Sequence, residues 1–235
     1  MSKAIYKRIL LKISGEALSG SKGFGLDNET IKSIVSNIKA VHDMGVQIGI
    51  VVGAGNFWRG RDGEGMDRTA ADHMGMLGTV INSLALQDAI EKRDIKTRVM
   101  TAIQMNKIAE PYIRRKAVSH LKNNEIVIFA CGTGNPFFST DTAAALRAAE
   151  IDADIILYAK NVDGIYDSDP KKNKNAVKFN EISYHDVLKM NLKVIDLTAA
   201  SLCMDNKMPS LLFALEKPEN IIDAVIGKSM GTILK

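Results

Sequence analysis

The sequence has few of the residues that mark extracellular or membrane proteins. Its 235 residues include only two cysteines, Cys131 and Cys203. Two thiols so spaced form no disulfide framework and no metal-ligand pair. They fit a reducing cytoplasm, where each serves as small apolar filler. No run of about 18 apolar residues occurs, so no membrane-spanning helix and no membrane partner is expected. Met1-Ser2-Lys3-Ala4 leads straight into a strand-like run, without the features of a signal peptide. The five prolines are scattered, no period of about 20–50 residues repeats, and one domain over residues 1–235 is expected. No single sign of charge dominates. The net charge of +4 is too mild for a nucleic-acid binder, although local clusters such as Arg114-Arg115-Lys116 could focus a small anion.

What is present is a repeating order of apolar strand, small-residue turn and amphipathic helix. Arg8–Ile13 reads as a buried strand ending at Ser14-Gly15. Asp27 or Asn28 can cap a helix whose apolar stripe is Ile31, Ile34, Val35, Ile38 and Val41. Val46–Val52 is a second strand, followed by a helix over roughly Arg68–Arg93. Lys96–Ala102 is a third strand, with a helix expected over Lys107–Leu121. Glu125–Ala130 is a fourth strand, with a helix over Thr140–Ile151, and Asp154–Ala159 is a fifth. Helices near Tyr184–Met190 and Thr198–Asn206 and strands at Ser210–Ala214 and Thr232–Leu234 complete the chain. The alternation predicts an α/β fold with a mainly parallel sheet covered on both faces.

Ligands in such sheets bind beyond the carboxyl ends of the strands. Three strands here end in small or glycine-rich turns: Ser14-Gly15, Gly53-Ala54-Gly55 and Gly132-Thr133-Gly134. Glycine lets backbone approach a phosphate, and a following helix N-terminus adds free N–H groups. The usual nucleotide motifs are missing. Gly53-Ala54-Gly55 lacks the third glycine of a dinucleotide fingerprint. Gly227-Lys228-Ser229 has Ile222 where a P-loop needs glycine. The protein-kinase motif set and a Gly-x-Ser-x-Gly elbow are absent.

Charge stands beside these turns instead. Lys12 interrupts an apolar strand, so it lies on an exposed edge, is paired, or faces a ligand. Arg59 follows the second turn. Asp141 opens the helix after the third, where it could instead satisfy free helix N–H groups, and Asp196 reads either as a second site acid or as an N-cap. Two cations and two acids so placed could bracket a transferring phosphoryl group and its magnesium. Phe137 and Phe138 read equally as core or as base-packing residues. Gly78–Leu86 reads as core or as an interface. His42, His120 and His185 read as ordinary surface helix residues.

With those residues in view, the chain resembles the bacterial uridylate kinases of the amino-acid kinase superfamily. The likeness runs end to end. It rests on Leu11-Lys12-Ile13-Ser14-Gly15-Glu16-Ala17-Leu18, Gly23-Phe24-Gly25 and Gly53-Ala54-Gly55-Asn56-Phe57-Trp58-Arg59-Gly60. It continues through Asp72-His73-Met74-Gly75-Met76-Leu77, Gly132-Thr133-Gly134-Asn135-Pro136-Phe137-Phe138 and Val162-Asp163-Gly164-Ile165-Tyr166.

The resemblance implies a three-layer α/β/α sandwich. It implies transfer of the ATP γ-phosphoryl group to UMP, with Mg2+, in pyrimidine nucleotide biosynthesis. It also implies a homohexamer activated by GTP and inhibited by UTP. By the same resemblance, Lys12, Ile13, Ser14, Gly15, Gly55 and Arg59 meet the ATP phosphates. Asn161 (or Lys160, one register away), Tyr166 and Asp169 meet its adenosine. Ala54, Asp72 and the run Thr133, Gly134, Asn135, Pro136, Phe137, Phe138, Ser139 and Thr140 hold UMP, with Asn135 as the candidate uracil reader. The loop Gly20, Ser21, Lys22, Gly23, Phe24 and Gly25 is linked to GTP. No resident metal site is implied. Alternatives from other classes are a UMP- or UTP-binding sensor without turnover, and a superfamily kinase acting on a carboxylate or carbamate.

Overall fold

The structure is a computed structural model and describes residues 3–58, 63, 65–170, 172–192 and 194–235. Arg59 therefore lies outside the described residues. The strand β1 (Arg8–Ile13) is followed by a 3-10 segment over Gly15–Lys22, and then by α1 (Asn28–Asp43), β2 (Gln47–Val52), α2 (Arg68–Glu91) and β3 (Thr97–Thr101). Next come β4 (Glu110–Pro111), α3 (Arg114–Lys122), β5 (Ile126–Ala130), α4 (Thr140–Glu150) and β6 (Ile155–Lys160). The short hairpin β7 (Ile165–Tyr166) and β8 (Lys178–Phe179) leads to β9 (Glu181–Ile182), α5 (Tyr184–Lys189) and α6 (Leu197–Asp205). The chain closes with β10 (Ser210–Ala214), α7 (Asn220–Val225) and β11 (Thr232–Leu234).

Among the described residues, nine strands form one sheet in the order β4-β3-β5-β2-β1-β6-β10-β11-β9, in which only the β10–β11 pairing is antiparallel. Side chains alternate across a strand. Ile9, Leu11 and Ile13 of β1 therefore join the core under α1, α2 and α7. Leu10 joins the opposite core under α3, α4, α5 and α6. The result is a three-layer α/β/α sandwich. By the same alternation, Lys12 faces the α4 and α6 layer. Since β1 pairs with β2 on one side and β6 on the other, Lys12 is not on an edge strand.

Local chemistry sets most element ends. The Asp27 carboxylate accepts from the Thr30 N–H and caps α1. Asp67 does the same for α2 through the Ala70 N–H. The helix expected over Lys107–Leu121 is shorter than its pattern suggests. Glu110–Pro111 instead pairs with β3 at the sheet edge, and the helix begins at Arg114. Proline lacks the N–H that helix continuation would need. His120 is not a plain surface residue either: its two ring nitrogens lie 2.8 Å and 3.2 Å from the carboxylates of Glu125 and Glu110. His42 is likewise engaged, its Nε2 lying 3.0 Å from the Asn124 carbonyl. In α2, Gly78, Val80, Asn82 and Leu86 are buried while Ile81 and Leu84 are exposed, so the segment divides between core and surface.

Candidate active site

The strand order places β5, β2, β1 and β6 side by side, and the four turns at their carboxyl ends form one wall. The first two turns touch through backbone. A Cβ on Gly15 would lie 2.5 Å from the Gly53 carbonyl oxygen and 2.7 Å from the Gly55 nitrogen, so only glycine fits there. The third turn carries strain. Cys131, Gly132 and Gly134 have positive φ, and a Cβ on Gly134 would press Ala102 at 3.1 Å. The Cys131 N–H donates to the Thr79 hydroxyl at 2.8 Å, which ties this turn to α2.

A buried amide pair holds the second turn. Asn82 of α2 donates to the Gly53 carbonyl at 2.7 Å and exchanges hydrogen bonds with Asn56 at 2.8 and 2.9 Å. Asn56 also donates to the Gly25 carbonyl at 2.7 Å, and the Gly25 N–H returns a bond to the Asn56 carbonyl. Phe24 packs edge-on against Phe57 with ring centroids 5.8 Å apart. The loop that includes Gly20, Ser21, Lys22, Gly23, Phe24 and Gly25 is thus docked directly on the second turn. The motif strings pointed to both loops but gave no sign of Asn82, a polar residue inside a helix.

The charged centre sits where β1 and β6 end under the start of α4. Lys12 is 6% exposed, and its ammonium lies 2.9 Å from Asp141 Oδ1. The two form a buried ion pair. Lys160, the last residue of β6, donates to Asp141 Oδ2 at 2.6 Å and to the Val194 carbonyl at 2.5 Å. Burial alone would raise the Asp141 carboxyl pKa, but the two ammoniums more than offset it and hold the group far below the usual carboxylate range. Burial pushes Lys160 below the ordinary lysine value, against the pull of Asp141.

Asp141 is therefore not a helix-start acid serving free N–H groups. Ser139 fills that role, accepting from the Asp141 and Thr142 N–H groups. Asp196 does cap α6 through the Thr198 N–H at 3.0 Å. Its other oxygen accepts from the hydroxyls of Ser139, at 2.6 Å, and Thr142. The starts of α4 and α6 are thereby laced together beside the lysines.

A second cluster faces the third turn. Arg68 Nε lies 2.9 Å from both oxygens of Asp72, and the Phe137 N–H donates to Asp72 at 2.8 Å. The Arg68 guanidinium sits 5.7 Å from the Phe137 ring centroid. Phe137 and Phe138 are 69% and 51% exposed, so neither is core. Thr133 and Asn135 close their own turn through the Thr133 hydroxyl. Thr140 meets the second turn, its hydroxyl 3.6 Å from where a Cβ of Gly53 would stand, and Ala54 packs against α2 at Gly78.

The expected adenosine residues are set apart from these two clusters. Asn161 donates to Glu16 at 3.2 Å. Tyr166 donates to Asp163 on the β7–β8 hairpin, and Asp169 follows in the same loop. Beside that hairpin a cavity of about 330 Å³ is lined by Asp163, Lys178, Phe213 and Lys217. Of the two residues considered at this register, Lys160 belongs to the charged centre and Asn161 to the Glu16 side.

Known proteins share this fold. The UMP kinase from Bacillus anthracis superposes with a TM-score of 0.95 at 41% identity, over 98% of this chain and 96% of its own. The UMP kinase from Ureaplasma parvum gives 0.92 at 39% identity over the whole of both chains. The uridylate kinase from Archaeoglobus fulgidus gives 0.76 at 29% identity, over 97% of this chain and 99% of that one. The sequence model of the amino acid kinase family matches residues 7–226. The fold, the glycine turns and this match agree: the chain belongs to the amino acid kinase family.

Proposed function

We propose that the protein transfers the γ-phosphoryl group of ATP to UMP, giving UDP and ADP. The observation that carries this reading is the Lys12–Asp141–Lys160 centre beside the glycine turns that end β1 and β2. The high identity to UMP kinases over nearly the whole chain supports UMP as the acceptor. The chain acts as a single domain, which the continuous nine-stranded sheet supports.

In the reaction, an anionic oxygen of the UMP phosphate attacks the γ-phosphorus. The bond from that phosphorus to the β–γ bridging oxygen breaks, and ADP leaves. The attacking oxygen carries no proton, so no general base is needed. Catalysis then reduces to in-line positioning and charge stabilisation. The turns at Ser14-Gly15 and Gly55 offer backbone to the ATP phosphates. Lys12 and Arg59 supply positive charge to the transferring group. Asp72 accepts from the ribose hydroxyls while Phe137 and Phe138 pack on the base. Thr133, Gly134, Asn135, Pro136, Ser139 and Thr140 complete the acceptor wall, and Asn135 offers both a donor and an acceptor to uracil.

In this reading ATP is taken with a divalent metal, Mg2+, whose charge phosphoryl transfer calls for. The donors at the site fit a metal carried in on the nucleotide. Asp141 stands between two ammoniums, and Asp196 is engaged by two hydroxyls. Among the described residues, no group of three His, Cys, Asp or Glu side chains is placed to hold a metal by itself. When bound with ATP, Mg2+ supplies charge neutralisation on the phosphates, and Asp141 and Asp196 are the carboxylates that would meet its waters.

GTP activation fits the contact between the Gly20–Gly25 loop and the ATP turn through Asn56. UTP inhibition fits a pyrimidine site that accepts UMP. A homohexamer and a cytoplasmic location complete the proposal. No helix among the described residues is long and apolar enough to cross a membrane.

The deciding assay mixes the protein and Mg-ATP with UMP, CMP, AMP or dTMP and quantifies the diphosphates. UDP as the dominant product supports the reading. Tight UMP binding without any diphosphate would replace it with a sensor role. ADP formation only with carboxylates or carbamates would replace the acceptor.

A further inference from the structure

We propose that Lys160 is a positioning residue for the Lys12 ammonium, acting through Asp141; this rests on the phosphoryl-transfer reading above. No motif in the sequence marks it. Lys160 ends an apolar strand, and the sequence offers it only as an alternative adenosine contact to Asn161.

The geometry assigns it elsewhere. β1 and β6 are neighbours, and Lys12 pairs in register with Tyr158. Two residues further along β6, Lys160 projects to the same face of the sheet as Lys12. Its side chain is 16% exposed and its ammonium lies over the Tyr158 ring at 5.6 Å. One carboxylate therefore stands between two lysines. Oδ2 accepts a short hydrogen bond from Lys160. Oδ1 lies 2.9 Å from the Lys12 ammonium. The charge of Asp141 is thus shared between two cations, and the Lys12 ammonium, with three N–H donors, keeps donors for an incoming phosphate oxygen. Without Lys160, Asp141 would keep one cation only, and an unsatisfied buried carboxylate would draw that cation into full hydrogen bonding. Lys12 would then be turned away from the transferring group.

The second bond of Lys160 acts in the same sense. It grips the Val194 carbonyl, two residues before Asp196. Asp196 in turn holds the hydroxyls of Ser139 and Thr142 at the start of α4, the helix that carries Asp141. One ammonium therefore fixes both the orientation of the Asp141 carboxylate and the segment that packs beside it.

The experiment measures kcat and KM for ATP and UMP in the wild type, Lys160→Met, Lys160→Arg, Lys12→Met and Lys12→Met/Lys160→Met. A small misplacement of a catalytic group can cost about 100-fold. The expected result is a kcat loss of that order in Lys160→Met, with KM for UMP within about twofold and most of the rate restored in Lys160→Arg. In the Lys12→Met background the second substitution should cost under about twofold, because both act through one path. Wild-type kcat in Lys160→Met, or a full multiplicative loss in the double variant, would overturn the proposal. If Lys160→Met does not fold, Lys160→Gln and Lys160→Arg carry the same comparison. Should the wild type form no UDP, the phosphoryl-transfer reading fails separately. A crystal structure of the Lys160 variant then decides the positioning claim: a Lys12 ammonium displaced toward Asp141 Oδ2 relative to the wild type supports it, and an unmoved Lys12 refutes it.

Discussion

The Phe137 backbone N–H donates to the Asp72 carboxylate at 2.8 Å, joining a loop after β5 to the first turns of α2 across a separation of 65 residues. Phe137 holds φ at 71°, a left-handed conformation that is uncommon for a bulky residue and costs of order 1–3 kcal/mol. The hydrogen bond to a charged acceptor helps offset that strain. One carboxylate therefore shapes the acceptor loop as well as facing the acceptor. Replacing Asp72 with alanine should raise KM for UMP about 10- to 100-fold, the worth of a hydrogen bond to a charged group. KM for ATP should stay within about twofold. Steady-state kinetics with each substrate varied separately would show the split.

Removing the Lys12 ammonium should act on turnover rather than on acceptor binding. Lys12→Ala should lower kcat about 100- to 1,000-fold, in line with the loss of one preorganised charge-stabilising group. Calorimetric UMP binding should remain near the wild-type value. Near wild-type turnover in this variant would remove Lys12 from the proposed machinery.

The pH dependence of stability follows from Asp141. Its carboxyl pKa is far lower in the folded protein than the ordinary value of about 4. The unfolded chain therefore binds this proton more readily than the native one. The stabilisation is present above that ordinary value and is lost as pH falls through it toward the folded value. Urea unfolding should show wild type most superior to Asp141→Asn near neutrality, with the gap narrowing below about pH 4.

Asn82 makes three hydrogen bonds inside the molecule and is fully buried. Its alanine variant removes the Asn82 donor from the Gly53 carbonyl and leaves the Asn56 side chain with its Gly25 bond but without a donor to its Oδ1, at about 1–3 kcal/mol for each unsatisfied group. A chain of this size should lose roughly 4–8 °C in Tm for a loss of about 2 kcal/mol. Thermal unfolding checks the stability, and a raised KM for ATP would show that the second turn has loosened.

Both cysteines are buried, and burial pushes the Cys203 thiol up to about 11 and the Cys131 thiol upward as well. Neither should be alkylated by iodoacetamide at neutral pH in the native protein. Both should react in denaturant, and mass spectrometry would count the adducts.

Much of this fold was legible because apolar periodicity and turn residues agree along most of the chain. The stripe from Ile31 to Val41 and the runs ending at Ser14 and Gly53 gave helix and strand limits to within about two residues of those observed. The helix expected over Lys107–Leu121 failed at Pro111, where pairing at the sheet edge outweighed an ambiguous pattern. The short α7 was missed because six residues give too little periodicity to read. Within the site, Lys12 and Asp141 stood out by their place beside small-residue turns. Asp141 was equally readable as a helix-start acid, since sequence cannot show that Ser139 serves the free N–H groups instead. Asn82 gave no signal and Lys160 none of its place in the charged centre, because their partners are 19 to 34 residues away in the chain and meet them only after folding. The Arg68–Asp72 pair differs: four residues apart on one helix, it has a spacing the sequence does carry.

The contact between Gly15 and the Gly53–Gly55 backbone has one more consequence. Where two main-chain turns press together without side chains, sequence drift has nothing to exchange: any Cβ at position 15 meets peptide atoms that cannot rotate away. A side chain at position 15 is therefore admitted only if the two turns move apart, which would separate the ends of β1 and β2.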